Sequence, residues 1–337
     1  MVKKVLVFDS KPYDAKSFKK TENLYLGKIE FDYVEFKLGP KTASLAEGFE
    51  AVCIFVHDSI DEETIESLYQ HGVRLLALRC AGYNNVALKK AQELGIKVVR
   101  VPEYSPYAVA EHAVALTMSL NRNIHRAYAR VRENNFSLNG LIGFDMFGKT
   151  VGIVGTGKIG RVAANIFKGF GCKVLAYDVF KNEGEAQKIG YEYVSLKDLY
   201  MKSDIISLHV PLTLETYHMI NKESIRIMKE GVIIVNSSRG QLIDTKDLIE
   251  GLKSGKIKGA GLDVYEEEEE YFFEDWSNQV VQDDDLARLL SFNNVIVTAH
   301  QAFFTEEALN NIAETTVINI LDFFEGKELK NEVKPQT

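Results

Sequence analysis

The sequence predicts an α/β protein with two doubly wound parallel sheets and a cleft between them. Three observations predict it. Short runs rich in Val, Ile and Leu alternate with helical patterns from end to end, the mark of parallel βαβ units whose helices cover both sheet faces. The 337 residues exceed what one hydrophobic core usually organises, so two domains follow. A hydrophobic content of 46% supplies both cores.

In the first part, Lys4–Phe8, Ala51–Val56, Leu75–Arg79 and Lys97–Arg100 are expected to be buried strands. Helices over Glu62–His71 and Ala87–Leu94 separate them, ended by Gly72 and Gly95, which accept the left-handed conformation. Ser105-Pro106 then opens Tyr107–Asn134, apolar at helical spacing and without internal Gly or Pro, which reads as one long connecting helix. The second part begins at Lys149–Val154 and repeats the strand rhythm in Lys173–Tyr177, Ile205–His209, Val232–Asn236, Gly259–Asp263 and Val295–Thr298. Six such strands make a complete dinucleotide fold. A final helix from Thr305 to about Phe324 has no strand after it and is expected to return to the first domain.

The strongest motif is Gly155-Thr156-Gly157-Lys158-Ile159-Gly160, with an apolar strand leading in and a helix leading out. Gly155 permits the tight turn, Gly157 lets the backbone approach a pyrophosphate, and Gly160 allows close helix–strand packing. The exposed N–H groups and the helix dipole favour the phosphate charge. Asp178 ends the next strand, 18 residues beyond Gly160, where a carboxylate accepts hydrogen bonds from the adenosine ribose. It would repel a 2′-phosphate, so the expected cofactor is NAD and not NADP, with Lys181 the one nearby cation.

Strand ends supply the candidate chemistry. Val232–Asn236 runs on through Ser237 and Ser238 to Arg239 and a turn at Gly240, at the end of a parallel strand where ligands bind. A guanidinium there can hold a carboxylate in bidentate geometry. His300 follows the strand Val295–Thr298 in the same way, and an imidazole is the natural acid/base near neutral pH. His209 also ends a strand, so position alone does not separate the two. His57, His71, His112, His125 and His218 read as structural. Glu268, within the run Glu266–Glu270, would favour the protonated imidazole if it faced His300, though spacing does not select it from its neighbours.

Arg239, the glutamate run and His300 resemble, in order and spacing, the Arg, Glu and His set of the D-isomer specific 2-hydroxyacid dehydrogenases. The resemblance covers nearly the whole chain. It includes Arg79–Val86, Val101–Pro106, Ala110–Ala113, Ser207–Thr213, Asn236–Gly240, Gly261–Glu266 and Thr298–Phe303. The segment Tyr271–Trp276 resembles the lactate-type branch. The resemblance implies a flavodoxin-like substrate domain, residues 1–103 with 300–337, and a Rossmann NAD-binding domain, 104–299. It implies that Arg239 binds the substrate carboxylate, His300 gives its proton to the nascent hydroxyl, and Glu268, two residues after Glu266, supports His300. Tyr104 and the backbone of Ala81 and Gly82 are implied to help hold the substrate. Lys158, Ile159, Val210, Pro211, Ser237, Ser238 and Asp263 are implied to line the cofactor site. Thr216 is assigned there too, where many relatives carry asparagine. The expected reaction is the NADH-dependent reduction of pyruvate to D-lactate. Another 2-oxo acid, or a protein that senses NAD without catalysis, are the alternatives.

Lys+Arg 40 against Asp+Glu 48 gives a net charge of -8, which argues against nucleic acid and anionic membranes as partners. Cys53, Cys80 and Cys172 are widely spaced, so neither a disulfide framework nor a metal site is expected. The amino end has too short an apolar run for a signal peptide and no run approaches the roughly 20 residues that span a bilayer. A cytoplasmic homo-oligomer is expected, with the long helix Tyr107–Arg130 suited to a two-fold interface.

Overall fold

The computed structural model describes residues 2–25 and 27–335. The chain forms two compact units, Met1–Ser105 with Phe304–Thr337, and Pro106–Phe303. These bounds differ slightly from those drawn on the sequence. Tyr104 belongs with the first unit, where Asn311 donates to its carbonyl at 2.6 Å. His300, Gln301 and Ala302 belong with the second, where Asp263 accepts from their amides at 2.7 to 2.9 Å.

In the first unit, β1 (Lys3–Val7), β2 (Ile29–Tyr33), β3 (Ala51–Ile54), β4 (Leu75–Leu78) and β5 (Lys97–Val99) form a wholly parallel sheet in the order β2-β1-β3-β4-β5. Helices α1 (Pro12–Glu22), α2 (Glu62–Gln70) and α3 (Leu88–Glu93) connect them. Every residue of β3 and β4 is buried, which is why they read as continuous apolar runs. Two elements were not foreseen. β2 is an edge strand with an alternating pattern, and α1 buries only Asp14, Phe18 and Thr21, too thin a stripe for a periodic signal.

The second unit opens with α4 (Pro106–Asn121) and α5 (Ile124–Arg132), where the sequence predicts one helix. The break is at Asn123, which takes the left-handed conformation at φ 51°, a geometry asparagine tolerates. It is fixed by Asn121, whose amide donates to the Phe144 carbonyl at 2.8 Å and accepts from the Phe144 amide at 2.9 Å.

Seven parallel strands follow: β6 (Thr150–Val154), β7 (Lys173–Tyr177), β8 (Glu192–Tyr193), β9 (Ile205–Leu208), β10 (Val232–Asn236), β11 (Ile257–Leu262) and β12 (Val295–Val297). Their order is β12-β11-β10-β9-β6-β7-β8. The two-residue β8 makes the sheet one strand wider than expected. Helices α6 (Lys158–Gly169), α7 (Glu183–Ile189), α8 (Leu196–Lys202), α9 (Lys222–Ile227), α10 (Thr245–Lys253), α11 (Glu268–Tyr271) and α12 (Asp284–Ser291) complete the unit. Strand order reverses at β6, and the carboxyl ends of the strands around such a reversal form the ligand crevice of an open α/β sheet.

The last helix, α13 (Glu306–Phe324), is capped by Thr305 and packs Ala313, Val317, Ile320 and Leu321 into the first unit's core with Val5, Val7, Leu75 and Val99. Among the described residues no helix is long and apolar enough to cross a membrane.

Candidate active site

The glycine turn sits at the carboxyl end of β6. Gly155 is left-handed at φ 95°, and a Cβ there would lie 2.5 Å from the His209 carbonyl. A Cβ on Gly160 would lie 1.9 Å from the Gly155 carbonyl oxygen, so α6 approaches β6 as closely as backbone permits. Gly157, the N-cap of α6, meets nothing within 4 Å, leaving the N-terminus of the helix open to a phosphate. Asp178 faces this turn. Its Oδ2 accepts from the Thr156 amide at 2.6 Å and hydroxyl at 3.1 Å, and its Oδ1 from the Phe180 amide at 2.8 Å.

Three neighbouring strands then deliver the candidate chemistry. Beyond β10, Arg239 is half-buried and spends one N–H on the Ser238 carbonyl at 2.6 Å. No ion pair to a carboxylate is formed by Arg239 among the described residues, so a cation with four further donors stands at a strand end without a counter-ion. Beyond β12, His300 takes the left-handed conformation at φ 51°, and its Nδ1 lies 2.7 Å from Glu268 Oε1. The other Glu268 oxygen accepts from the Tyr265 amide at 3.0 Å. With β11 between them, the axes of β10 and β12 lie roughly 10 Å apart, a span that a small 2-oxo acid fits.

Asp263, at the end of β11, is fully buried and holds the His300 loop in place. Its oxygens accept from the Thr298 hydroxyl at 2.5 Å and from the Gln301 and Ala302 amides at 2.9 Å. His112 on α4 joins this set, with Nε2 3.1 Å from the Thr298 hydroxyl and 3.3 Å from Asp263. Burial would raise the Asp263 carboxyl, but the His112 and Thr298 hydrogen bonds outweigh it and hold it below the usual carboxylate range. The side chain is thus engaged by the protein itself. Sequence reasoning left His112 structural, although it lies in one of the motifs that carry the resemblance.

His209 and His300 differ in their surroundings. Among the described residues the His209 ring bonds to the Ser207 hydroxyl alone, at 2.9 Å, and burial pushes its imidazole down to about 4, so it is neutral near pH 7. His300 alone of the two has a carboxylate partner. His71 and His125 bond to backbone carbonyls, as structural residues do. His218, also read as structural, lies 2.5 Å from Glu266.

The remaining cofactor candidates gather around the same strand ends. Ser238 donates to the Val210 carbonyl at 2.6 Å, tying the loop after β10 to the loop after β9. Thr216 Oγ1 donates to the Pro211 carbonyl at 2.7 Å and so braces its own loop. The Ser237 hydroxyl oxygen is buried without a hydrogen-bond partner among the described residues, and a ligand's polar group would satisfy it. This orphan, together with the open helix N-terminus at Gly157 and the Asp178 carboxylate, fits a dinucleotide. Lys158 and Ile159 form the first turn of α6. In the first unit, Arg100 donates to the Ala81 carbonyl at 2.7 Å, and Cys80 Sγ lies 3.2 Å from the Gly82 carbonyl, which shapes the loop after β4.

Residues 114–302 match the family described as D-isomer specific 2-hydroxyacid dehydrogenase, NAD binding domain. The chain is 53% identical over 332 residues to a 2-hydroxyacid dehydrogenase homolog of Haemophilus influenzae, covering 98% of this chain and 99% of that protein. It is 51% identical over 330 residues to D-lactate dehydrogenase of Escherichia coli K12, again covering 98% and 99%. Among solved structures it resembles the apo-structure of D-lactate dehydrogenase from Escherichia coli, with TM-score 0.90, 49% identity and coverage of 98% and 99%. It also resembles D-lactate dehydrogenase with NAD+ from Lactobacillus jensenii, with TM-score 0.83, 32% identity and coverage of 98% and 100%. With relatives of this identity along nearly its whole length, the chain belongs to the D-isomer specific 2-hydroxyacid dehydrogenase family and is an NAD-dependent oxidoreductase.

Proposed function

We propose that the protein reduces pyruvate reversibly to D-lactate. The observation that carries this reading is the 2.7 Å contact between His300 Nδ1 and Glu268 Oε1. A carboxylate there takes the Nδ1 proton as a hydrogen bond and leaves Nε2 as the nitrogen that carries the transferable proton. A protein that only sensed NAD would have no use for such a pair.

Arg239 binds the substrate carboxylate, and its positive charge favours the developing charge on the ketone oxygen. His300 Nε2 delivers its proton to that oxygen and regains one from solvent. Glu268, itself held by the Tyr265 amide, fixes the orientation of the imidazole. The glycine turn and Asp178 would hold NADH, which would supply the hydride for substrate C2 and become NAD+. Tyr104 and the Ala81-Gly82 backbone are assigned to substrate contact on the resemblance alone.

Identities near 50% to D-lactate dehydrogenases support pyruvate as the substrate. NADH oxidation should be fastest with pyruvate in a panel that includes glyoxylate, hydroxypyruvate and phenylpyruvate, with D-lactate as product. A preference for another acid, or an L-lactate product, would overturn the reading.

We further propose a homo-oligomer in the cytoplasm. In support, α5 and the segment after it leave Ile124, Tyr128, Val131, Phe136, Leu138, Ile142 and Phe147 at least half exposed, more apolar surface than a monomer usually leaves bare. Light scattering should give a mass at least twice 38.0 kDa.

A further inference from the structure

His218 lies between β9 and α9, far in sequence from Arg239, Glu268 and His300. It occupies the left-handed region at φ 48°, and its ring stacks on Tyr217 with centroids 3.9 Å apart and planes at 16°. Both ring nitrogens face carboxylates: Nε2 is 2.5 Å from Glu266 Oε1 and Nδ1 is 3.4 Å from Asp244 Oδ2. An imidazole in an unfavourable backbone conformation, stacked on one side and facing carboxylates at both ends, is over-determined by its surroundings.

Glu266 is where these contacts converge. Its second oxygen accepts from the Thr245 hydroxyl at 2.8 Å and amide at 3.2 Å, and its carbonyl accepts from the Gln241 side chain at 3.0 Å. The Gln241 carbonyl in turn accepts from the His218 amide at 2.9 Å, which closes the ring of contacts. Between Arg239 and Gln241 stands Gly240, where a Cβ would lie 2.0 Å from the Tyr265 carbonyl oxygen. The segment that follows Arg239 is therefore pressed against, and hydrogen-bonded to, the segment that precedes Glu268.

We infer that His218 is a positioning residue for the dehydrogenase reaction. Through Glu266 it sets the register between the backbone that presents Arg239 and the backbone that presents Glu268 to His300. The role matters because carboxylate binding and proton delivery come from different strand ends and must meet one small substrate at once. The inference rests on the dehydrogenase reading above, and its test separates the two.

The test uses the full chain with His218→Asn, because asparagine tolerates the left-handed backbone and is too short to reach Glu266. His218→Gln is the conservative partner, with an amide N–H in place of Nε2–H. Glu266→Gln weakens the same contact from the other side and serves if His218→Asn does not fold. Two readouts are taken. Hydrogen exchange needs no substrate: the amides of residues 264–268 should exchange faster in His218→Asn and recover in His218→Gln. With pyruvate, kcat should fall about tenfold while KM and NADH affinity stay within about twofold, and His218→Gln should restore part of kcat. Unchanged exchange overturns the inference whatever the activity. Faster exchange with unchanged kcat in an active enzyme also overturns it. If the wild-type chain turns over no 2-oxo acid, the dehydrogenase reading fails, and with it the catalytic role of His218.

Discussion

Of the parallel strands that run out into arginine, β4 and β10 handle the side chain in opposite ways. Arg79, beyond β4, is 2% exposed. It donates to the Phe8 and Asp9 carbonyls at 3.0 and 2.7 Å, lies 3.4 Å from Asp14, and stacks on Phe55 at 4.7 Å. Arg239, beyond β10, keeps part of its surface and has no ion pair to a carboxylate among the described residues. Position at a strand end is common to both, so it does not mark a substrate-binding arginine. The counter-ion separates these two: Arg79 is already neutralised by the protein, whereas the charge of Arg239 would, in the proposed reaction, be met by the substrate carboxylate.

The sharpest way to break this contrast is to remove each charge. Arg239→Gln should lower kcat/KM for pyruvate on the order of 10³-fold while stability and NADH affinity stay near wild type. Steady-state kinetics beside a urea titration would check both halves, and unchanged turnover would sink the assignment. Arg79→Met should do the reverse, costing about 3–5 kcal/mol of stability because Asp14 and its buried neighbours lose their cation. A denaturation midpoint close to wild type would show that the cluster does not depend on it.

Glu268→Gln tests the second unit's other half. It keeps the shape and a hydrogen bond to His300 but loses the charge, so kcat/KM should fall on the order of 10²-fold with substrate KM little changed.

The smallest effect distinguishes the units by pH. Asp58, buried beneath the loop after β3, is pushed up by burial to about 6 from an ordinary 3.8, so the folded state holds its proton more tightly than the unfolded chain. Stability through Asp58 therefore falls as pH rises from about 4 to 6. His209 is pushed down to about 4 from 6.5, so its contribution rises over the same window. Measured by urea unfolding between about pH 4.5 and 6.5, Asp58→Asn should gain on wild type as pH rises and His209→Asn should lose ground. Parallel curves would refute both.

The strand ends were the legible part of this molecule. Buried parallel strands such as β3, β4 and β10 are continuous apolar runs, so their ends, and Arg239 and His300 with them, could be placed without a structure. The edge strand β2 alternates over only five residues, and the sparse α1 and the two-residue β8 carry no periodicity to read. The break at Asn123 was hidden because its cause, the Phe144 backbone, lies outside the helix. Pairings across long separations were the least visible. Two glutamates two residues apart serve two histidines, Glu266 to His218 and Glu268 to His300, and nothing in the run Glu266–Glu270 tells them apart locally.

The contact of Asp178 with the glycine turn bears on coenzyme redesign. Because the carboxylate accepts from the Thr156 amide and hydroxyl, it latches the turn as well as standing at the strand end where a ribose would bind. Trading it for a small neutral residue to admit a 2′-phosphate would unlatch the loop that cradles the pyrophosphate, weakening both coenzymes together. A workable exchange must supply a substitute acceptor for Thr156 before it changes charge.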